Sequence, residues 1–203
     1  MSSSRSEILA QSVGARICHD LINPLGAVGN GVELLGLSTS ENSVELELLQ
    51  SSVNAAQARL QMLRIAFGPT TDEAIVEGHI LRTLMTQLSN GQRHKIEWLP
   101  SSGTPRNVAQ LGTLMVLCVV SAMPTGGHIR VVKIGDYSVV EVTATRIDLD
   151  PIFWDHIAEP AGLPAPSART VHFNLLADQI KQTGRVPQIE LMDNGFVFSV
   201  RPT

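Results

Sequence analysis

The stretch Arg16-Ile17-Cys18-His19-Asp20-Leu21-Ile22-Asn23-Pro24-Leu25 sets an imidazole beside a carboxylate, with a guanidinium one helical turn earlier and an amide one turn later. An imidazole of ordinary pKa, about 6.5, is largely uncharged near neutral pH and therefore nucleophilic. A ring nitrogen of that kind accepts a phosphoryl group and yields it again to a carboxylate. Transfer between two proteins needs in-line approach, so such a ring must stand on an open face with small neighbours. Gly26, Ala27, Gly29, Asn30 and Gly31 supply them along the next turns. Adjacent helix positions point ~100° apart, so Asp20 reaches the ring only from the side. Contact with Nδ1–H would fix the tautomer that leaves the lone pair on Nε2. Asn23 is aligned to orient a water or a phosphoryl oxygen, and Arg16 to balance phosphate charge.

The elements that must position these groups follow from periodicity. With His19 set at zero and ~100° per residue, Val13, Ile17, Leu21, Leu25, Val28, Val32 and Leu35 fall within roughly 60° of the opposite pole. Ser12, Arg16, Asn23, Gly26, Asn30 and Glu33 share the His19 side, so the pattern predicts an amphipathic helix over 6–37 whose histidine faces water. Gly36 and Ser38-Thr39-Ser40 end it, with Ser40 as the next N-cap. A second helix runs to about Phe67 on Val44, Leu48, Val53, Ala56, Leu60, Leu63 and Phe67. Gly68-Pro69 stops it, through a left-handed glycine and a proline that cannot continue the helix. The two should form an antiparallel hairpin. A lone hairpin leaves part of each apolar stripe wet. At ~1.5–3 kcal/mol per buried aliphatic, pairing two hairpins into a four-helix bundle recovers many kcal/mol. A symmetric homodimer is the commonest route to that.

Beyond Pro69 the pattern changes to helix over 77–88, strand over 95–99, a buried helix over 106–123, and strands over 128–134 and 137–145 joined through Gly135-Asp136. A short helix over 152–158, a loop over 161–166 and a helix over 168–183 with Gly184 as its stop come next. Strands over 186–191 and 196–201 close the chain around Asp193-Asn194-Gly195. The expected fold class is α+β: an N-terminal helical hairpin (1–68), then an α/β sandwich (69–203) with helices on one face of its sheet.

Composition narrows the function classes. The 203 residues are 43% apolar and only 17% charged, with a net charge of −4 and 4% aromatics. No basic stripe meets phosphates and no aromatic platform stacks bases, so nucleic acid is not an expected partner. The apolar run 111–123 falls short of the ~20 residues a membrane span needs. The start of the chain lacks an apolar signal core, and two cysteines, Cys18 and Cys118, form no metal spacing or disulfide framework. These features lead us to expect a cytoplasmic protein. Cys18 is expected to pack beside the bundle.

Competing chemistries find little support. His79, His94, His128, His156 and His172 lack metal-ligand spacing, so no metal is expected. No nucleophile elbow or activated cysteine motif is present. A nucleotide-using kinase would need a metal-binding asparagine on a helix and glycine boxes around phosphate. The run Leu111–Ala122 has no Asn, Asp or Glu, and neither Asp148-Leu149-Asp150-Pro151 nor Gly162-Leu163-Pro164 makes such a box.

The segment His19-Asp20-Leu21-Ile22-Asn23-Pro24-Leu25 resembles the H-box of histidine kinases, with the acid at +1, the amide at +4 and proline at +5. The wider run from Arg16 to Leu35 resembles the alphaproteobacterial histidine phosphotransferases of the ChpT type. The likeness extends more loosely through Pro124–Val131 and Ala168–Val171. It implies a dimeric helical-hairpin bundle carrying a phospho-accepting histidine, followed by an ATPase-like domain that has lost nucleotide binding. On that reading His19 shuttles phosphate between receiver-domain aspartates of a hybrid histidine kinase and of response regulators. Asp20, Asn23 and Arg16 assist, while Ile22, Gly26 and Asn30 form the docking face. No cofactor is bound, Mg²⁺ being supplied by the partner receiver. Two other readings stand beside it: an ATP-dependent histidine kinase with a divergent nucleotide site, and a non-enzymatic dimeric module that binds a kinase.

Overall fold

The computed structural model describes residues 4–37, 43–70 and 74–203, and Ser40, the expected N-cap, lies outside them. Two long helices, α1 (Arg5–Leu37) and α2 (Ser43–Phe67), pack along each other. Pro24 sits inside α1, which continues past it. At the end of α2 the stop differs in detail from expectation. Gly68 does not take a positive φ, and its backbone N–H instead closes on the Arg64 carbonyl. The guanidinium of Arg106 binds that same carbonyl, while Gln110 donates to the carbonyls of Ala66 and Gly68 at 3.0 and 2.9 Å.

The remaining chain runs β1 (Ile75–Val76), α3 (Gly78–Ser89), β2 (His94–Trp98), β3 (Thr104–Pro105), α4 (Arg106–Ser121), β4 (Gly127–Lys133), β5 (Ser138–Thr143), α5 (Pro151–Trp154), α6 (Val171–Gln182), β6 (Arg185–Met192) and β7 (Gly195–Pro202). β1 and β3 pair in a two-stranded ribbon. The main sheet has the order β2-β4-β5-β7-β6, parallel between β2 and β4 and antiparallel elsewhere.

Strand alternation separates a dry face from a wet one. Ile96, Trp98, Ile129, Val131, Val140, Val142, Phe196, Phe198 and Val200 are buried beneath α3, α4 and α6. On the other face Glu97 takes His128 and Arg130, and Arg130 continues to Glu141. Trp154 of α5 plugs one end of the core, edge-on to Phe173, Phe196 and Phe198 at 5.4–5.8 Å. The C-terminal half of α2 belongs to the same core, since Ala58, Met62, Ile65 and Ala66 are buried with residues of α3 and α4. α1 touches α6. The mixed α+β class and the one-sided helical cover match the sequence expectation.

The far part of the hairpin is different. Leu25, Val32, Leu34, Leu46 and Leu48 are exposed large apolar side chains. Leu25 and Val32 belong to the stripe that periodicity assigned to a core, and within a single chain nothing covers them.

Candidate functional site

His19 stands near the middle of α1 with its side chain 69% exposed. The neighbouring Asp20 carboxylate turns the other way, and its side chain is only 6% exposed. They nevertheless meet from the side: His19 Nδ1 lies 3.1 Å from Asp20 Oδ1. With Nδ1–H donating to that oxygen, Nε2 carries the lone pair and points away from the pair. Asp20 Oδ2 accepts a hydrogen bond from Arg16 Nε at 2.8 Å, an i,i+4 ion pair along the helix. Arg16 Nη1 also donates to the carbonyls of Ala168 and Arg169, at 3.4 and 3.3 Å, in the turn leading into α6.

Burial by itself would raise the Asp20 carboxyl. The Arg16 hydrogen bond and charge, the His19 contact and the charge of Arg59 together outweigh it, and hold the carboxyl below its usual range. A charge-assisted bond to a guanidinium is worth roughly twice a neutral one, which explains why an acid at the seam of two structural layers remains an anion. Arg59, on α2, lines a small cleft with Arg16, Met62, Gln92 and His94.

Below the ion pair lies a second histidine. His172, in the first turn of α6, is fully buried, with Nε2 2.9 Å from Ser121 Oγ of α4 and Nδ1 without a partner. Burial first, and the positive charge of Arg16 second, push its pKa down to about 3 against a smaller upward pull from Asp20. His172 is therefore neutral at physiological pH.

The sequence-derived residues do not all converge. His19, Asp20 and Arg16 form one network. Asn23 is exposed and makes no hydrogen bond in it among the described residues. Ile22, Gly26 and Asn30 are exposed on the open part of the helix, Ile22 by 66%. A Cβ built on Gly26 would meet nothing within 4 Å. Two expectations need correction. Ser12 is buried and Arg16 is largely covered, because the flank of α1 next to His19 packs toward α6 instead of facing water. Cys18 is exposed and does not pack beside the bundle. α4 carries Asn107 in its first turn, ahead of the run 111–122, and the Asn107 side-chain oxygen accepts the Val108 N–H at 2.8 Å.

Three participants escaped the sequence reading: Arg59, the carbonyls of 168 and 169, and the buried His172–Ser121 pair. Only the Arg16–Asp20 spacing carried a local signal. The others arrive from chain segments tens of residues away.

Residues 78–195 match the family model of the histidine phosphotransferase C-terminal domain, which is more than half of the chain. The chain belongs to the histidine phosphotransferase family. Within that family it is 33% identical to protein phosphotransferase ChpT of Brucella abortus (strain 2308) over 119 residues. The aligned stretch spans 58% of this chain and 56% of that relative, about half of its length. The structure also resembles a solved bacterial phosphotransferase, with a TM-score of 0.74 and 25% identity over 99% of this chain and 98% of the other. The ChpT-type resemblance first seen around His19 is thus supported by matches that extend well beyond α1. No described helix is long and apolar enough to cross a membrane.

Proposed function

We propose that this chain is a phosphorelay intermediary. His19 accepts a phosphoryl group from the aspartyl phosphate of a receiver domain, as in a hybrid histidine kinase, and passes it to the aspartate of another receiver, as in a response regulator. The observation that carries the reading is the His19 ring itself: exposed on a helix face, Nδ1 engaged by a covered carboxylate, Nε2 open, in a chain of the histidine phosphotransferase family.

The Nε2 lone pair attacks phosphorus in line, the acyl-phosphate P–O bond breaks, and the receiver carboxylate leaves with the electron pair. The ring keeps its Nδ1 proton and becomes a phosphoryl-imidazolium, whose positive charge is accompanied by the Asp20 carboxylate 3.1 Å away. Donation to the next receiver is the reverse displacement. Mg²⁺, where receivers use it, comes with the partner, and this chain needs no cofactor. Asn23 stands one turn beyond His19, where it orients a phosphoryl oxygen.

The same reading covers the finer assignments. Ile22, Gly26 and Asn30 form the docking face, supported by their exposure and by the open space over Gly26. Residues 1–68 are the dimerisation and phosphotransfer domain, and 69–203 a domain of ATPase-like ancestry. Two hairpins pair in a homodimer, which would cover the wet apolar residues of the hairpin, Leu25, Val32, Leu46 and Leu48 among them. The protein works in the cytoplasm.

The test is transfer from a radiolabelled, phosphorylated receiver to the purified protein. Acid-labile, base-stable label should appear on the wild type and be absent from His19→Ala. Equal labelling of the alanine variant would show that another residue carries the phosphate.

A further inference from the structure

Arg16 is better connected than a phosphate counter-charge needs to be. A guanidinium is a rigid plane of five N–H donors. Here one edge of that plane is committed to Asp20 through Nε and another to two backbone carbonyls through Nη1. Those carbonyls are not free to follow the side chain. Their turn is closed by the Ser167 carbonyl, which accepts from the N–H groups of Thr170 and Val171 at 3.1 and 2.9 Å. Ser167 Oγ and Thr170 Oγ1 lie 2.8 Å apart across it. The helix that follows is pinned in turn by the buried His172 against Ser121 of α4, and by Asn174, whose amide donates to the Pro164 carbonyl at 3.1 Å. A continuous chain of polar contacts therefore runs from the α6 lead-in, through Arg16 and Asp20, to Nδ1 of His19.

We infer that Arg16 is a positioning residue, by which the turn before α6 fixes the Asp20 carboxylate and, through it, the tautomer and ring orientation of His19. The consequence for transfer rests on the proposed phosphoacceptor role; the consequence for the ring does not. In water a neutral histidine side chain favours the tautomer with hydrogen on Nε2, the nitrogen that must attack. Holding Oδ1 of Asp20 against Nδ1 reverses that preference, and the Arg16 bond to Oδ2 stops the carboxylate from rotating away. The C-terminal part of the chain thus acts on the reactive nitrogen without touching it.

The experiment uses full-length protein, with ¹⁵N chemical shifts of the His19 ring read in the absence of any partner. Single-turnover transfer from a phosphorylated receiver is measured in parallel. Arg16→Lys keeps the charge but loses the planar fork, and Arg16→Met keeps only the stem. The wild type should show hydrogen on Nδ1. Both variants should move toward the Nε2–H form and transfer roughly tenfold or more slowly, the scale of a lost orienting contact. An unchanged tautomer in Arg16→Lys, whatever its rate, overturns the inference. Should either variant lose the dispersed amide spectrum of the folded protein, Asp20→Ala cuts the same chain one link nearer the ring and must give the same tautomer shift. A wild type that takes no label while the Arg16 variants still shift the ring would end the phosphorelay reading and leave the positioning role standing.

Discussion

Replacing Asp20 by Asn removes the negative charge that accompanies the ring in the proposed transfer step. The substitution keeps the size of the side chain but removes the charge that faces the phosphoryl-imidazolium, and it leaves one oxygen to serve the two donors His19 Nδ1–H and Arg16 Nε–H. At the observed 3.1 Å, two unit charges at an effective dielectric of 20 would interact by about 5 kcal/mol. The ring is mostly solvated while the acid is covered, so water screens much of this. A net loss of about 1.5–3 kcal/mol is the reasonable share. At 1.36 kcal/mol per factor of ten, this slows single-turnover transfer by roughly 10- to 100-fold. The assay follows loss of label from a phosphorylated receiver at saturating partner, so docking does not contribute. The Asn variant should still reach His19 and form the same acid-labile product, only later. A rate within twofold of wild type would refute the idea that Asp20 supports the charged ring. Complete loss of folding would be visible in the melting curve and is not expected, because Arg16 retains its two backbone carbonyls.

Other consequences can be measured separately. His172 titrates near 3 when folded and near 6.5 when unfolded. Its depressed pKa means that stability is fully present above the unfolded value and drains away as pH falls toward 3. Between pH 7 and pH 5 this amounts to about 2 kcal/mol, and denaturant melts of His172→Asn should lack that share of the slope. Leu25→Glu with Val32→Glu puts two charges on the uncovered stripe, and light scattering should find a dimer for the wild type and a monomer for the double variant. Gly195 faces the Val142 carbonyl so closely that a Cβ has no room, and the carbonyl belongs to the central strand β5. Gly195→Ala should therefore cost about 2–4 kcal/mol in thermal or denaturant unfolding.

The legible parts of this molecule are those written in local pattern. α1 and α2 were readable because their apolar spacing persists over many turns, and β4 to β7 because β-branched alternation is broken by glycine and Asp-Asn turns. The two-residue strands Ile75–Val76 and Thr104–Pro105 were not, since two residues show no alternation and their pairing joins distant segments. The side contact between His19 and Asp20 followed from helix geometry. The burial of Ser12 and Arg16 did not, because polarity alone predicts water. This flank of α1 packs toward α6 and the turn before it, more than 150 residues away, and the Arg16 guanidinium tolerates cover because a carboxylate and two carbonyls meet it. Arg59 was invisible for the same reason: only the packing of α2 against α1 brings its charge to Asp20. The exposure of Leu25 and Val32 was legible too: their spacing placed them on the apolar stripe, and a lone hairpin was expected to leave part of that stripe wet, as it does here.

The claim at the centre of this account is that phosphate rests on one ring nitrogen of His19. Mixing the protein with a phosphorylated receiver and recording ³¹P–¹⁵N correlation on the ring-labelled product tests it directly. A phosphorus bonded to Nε2 of residue 19, with hydrogen retained on Nδ1, is the predicted result. Phosphorus on Nδ1, on another side chain, or on no residue of this chain would contradict it.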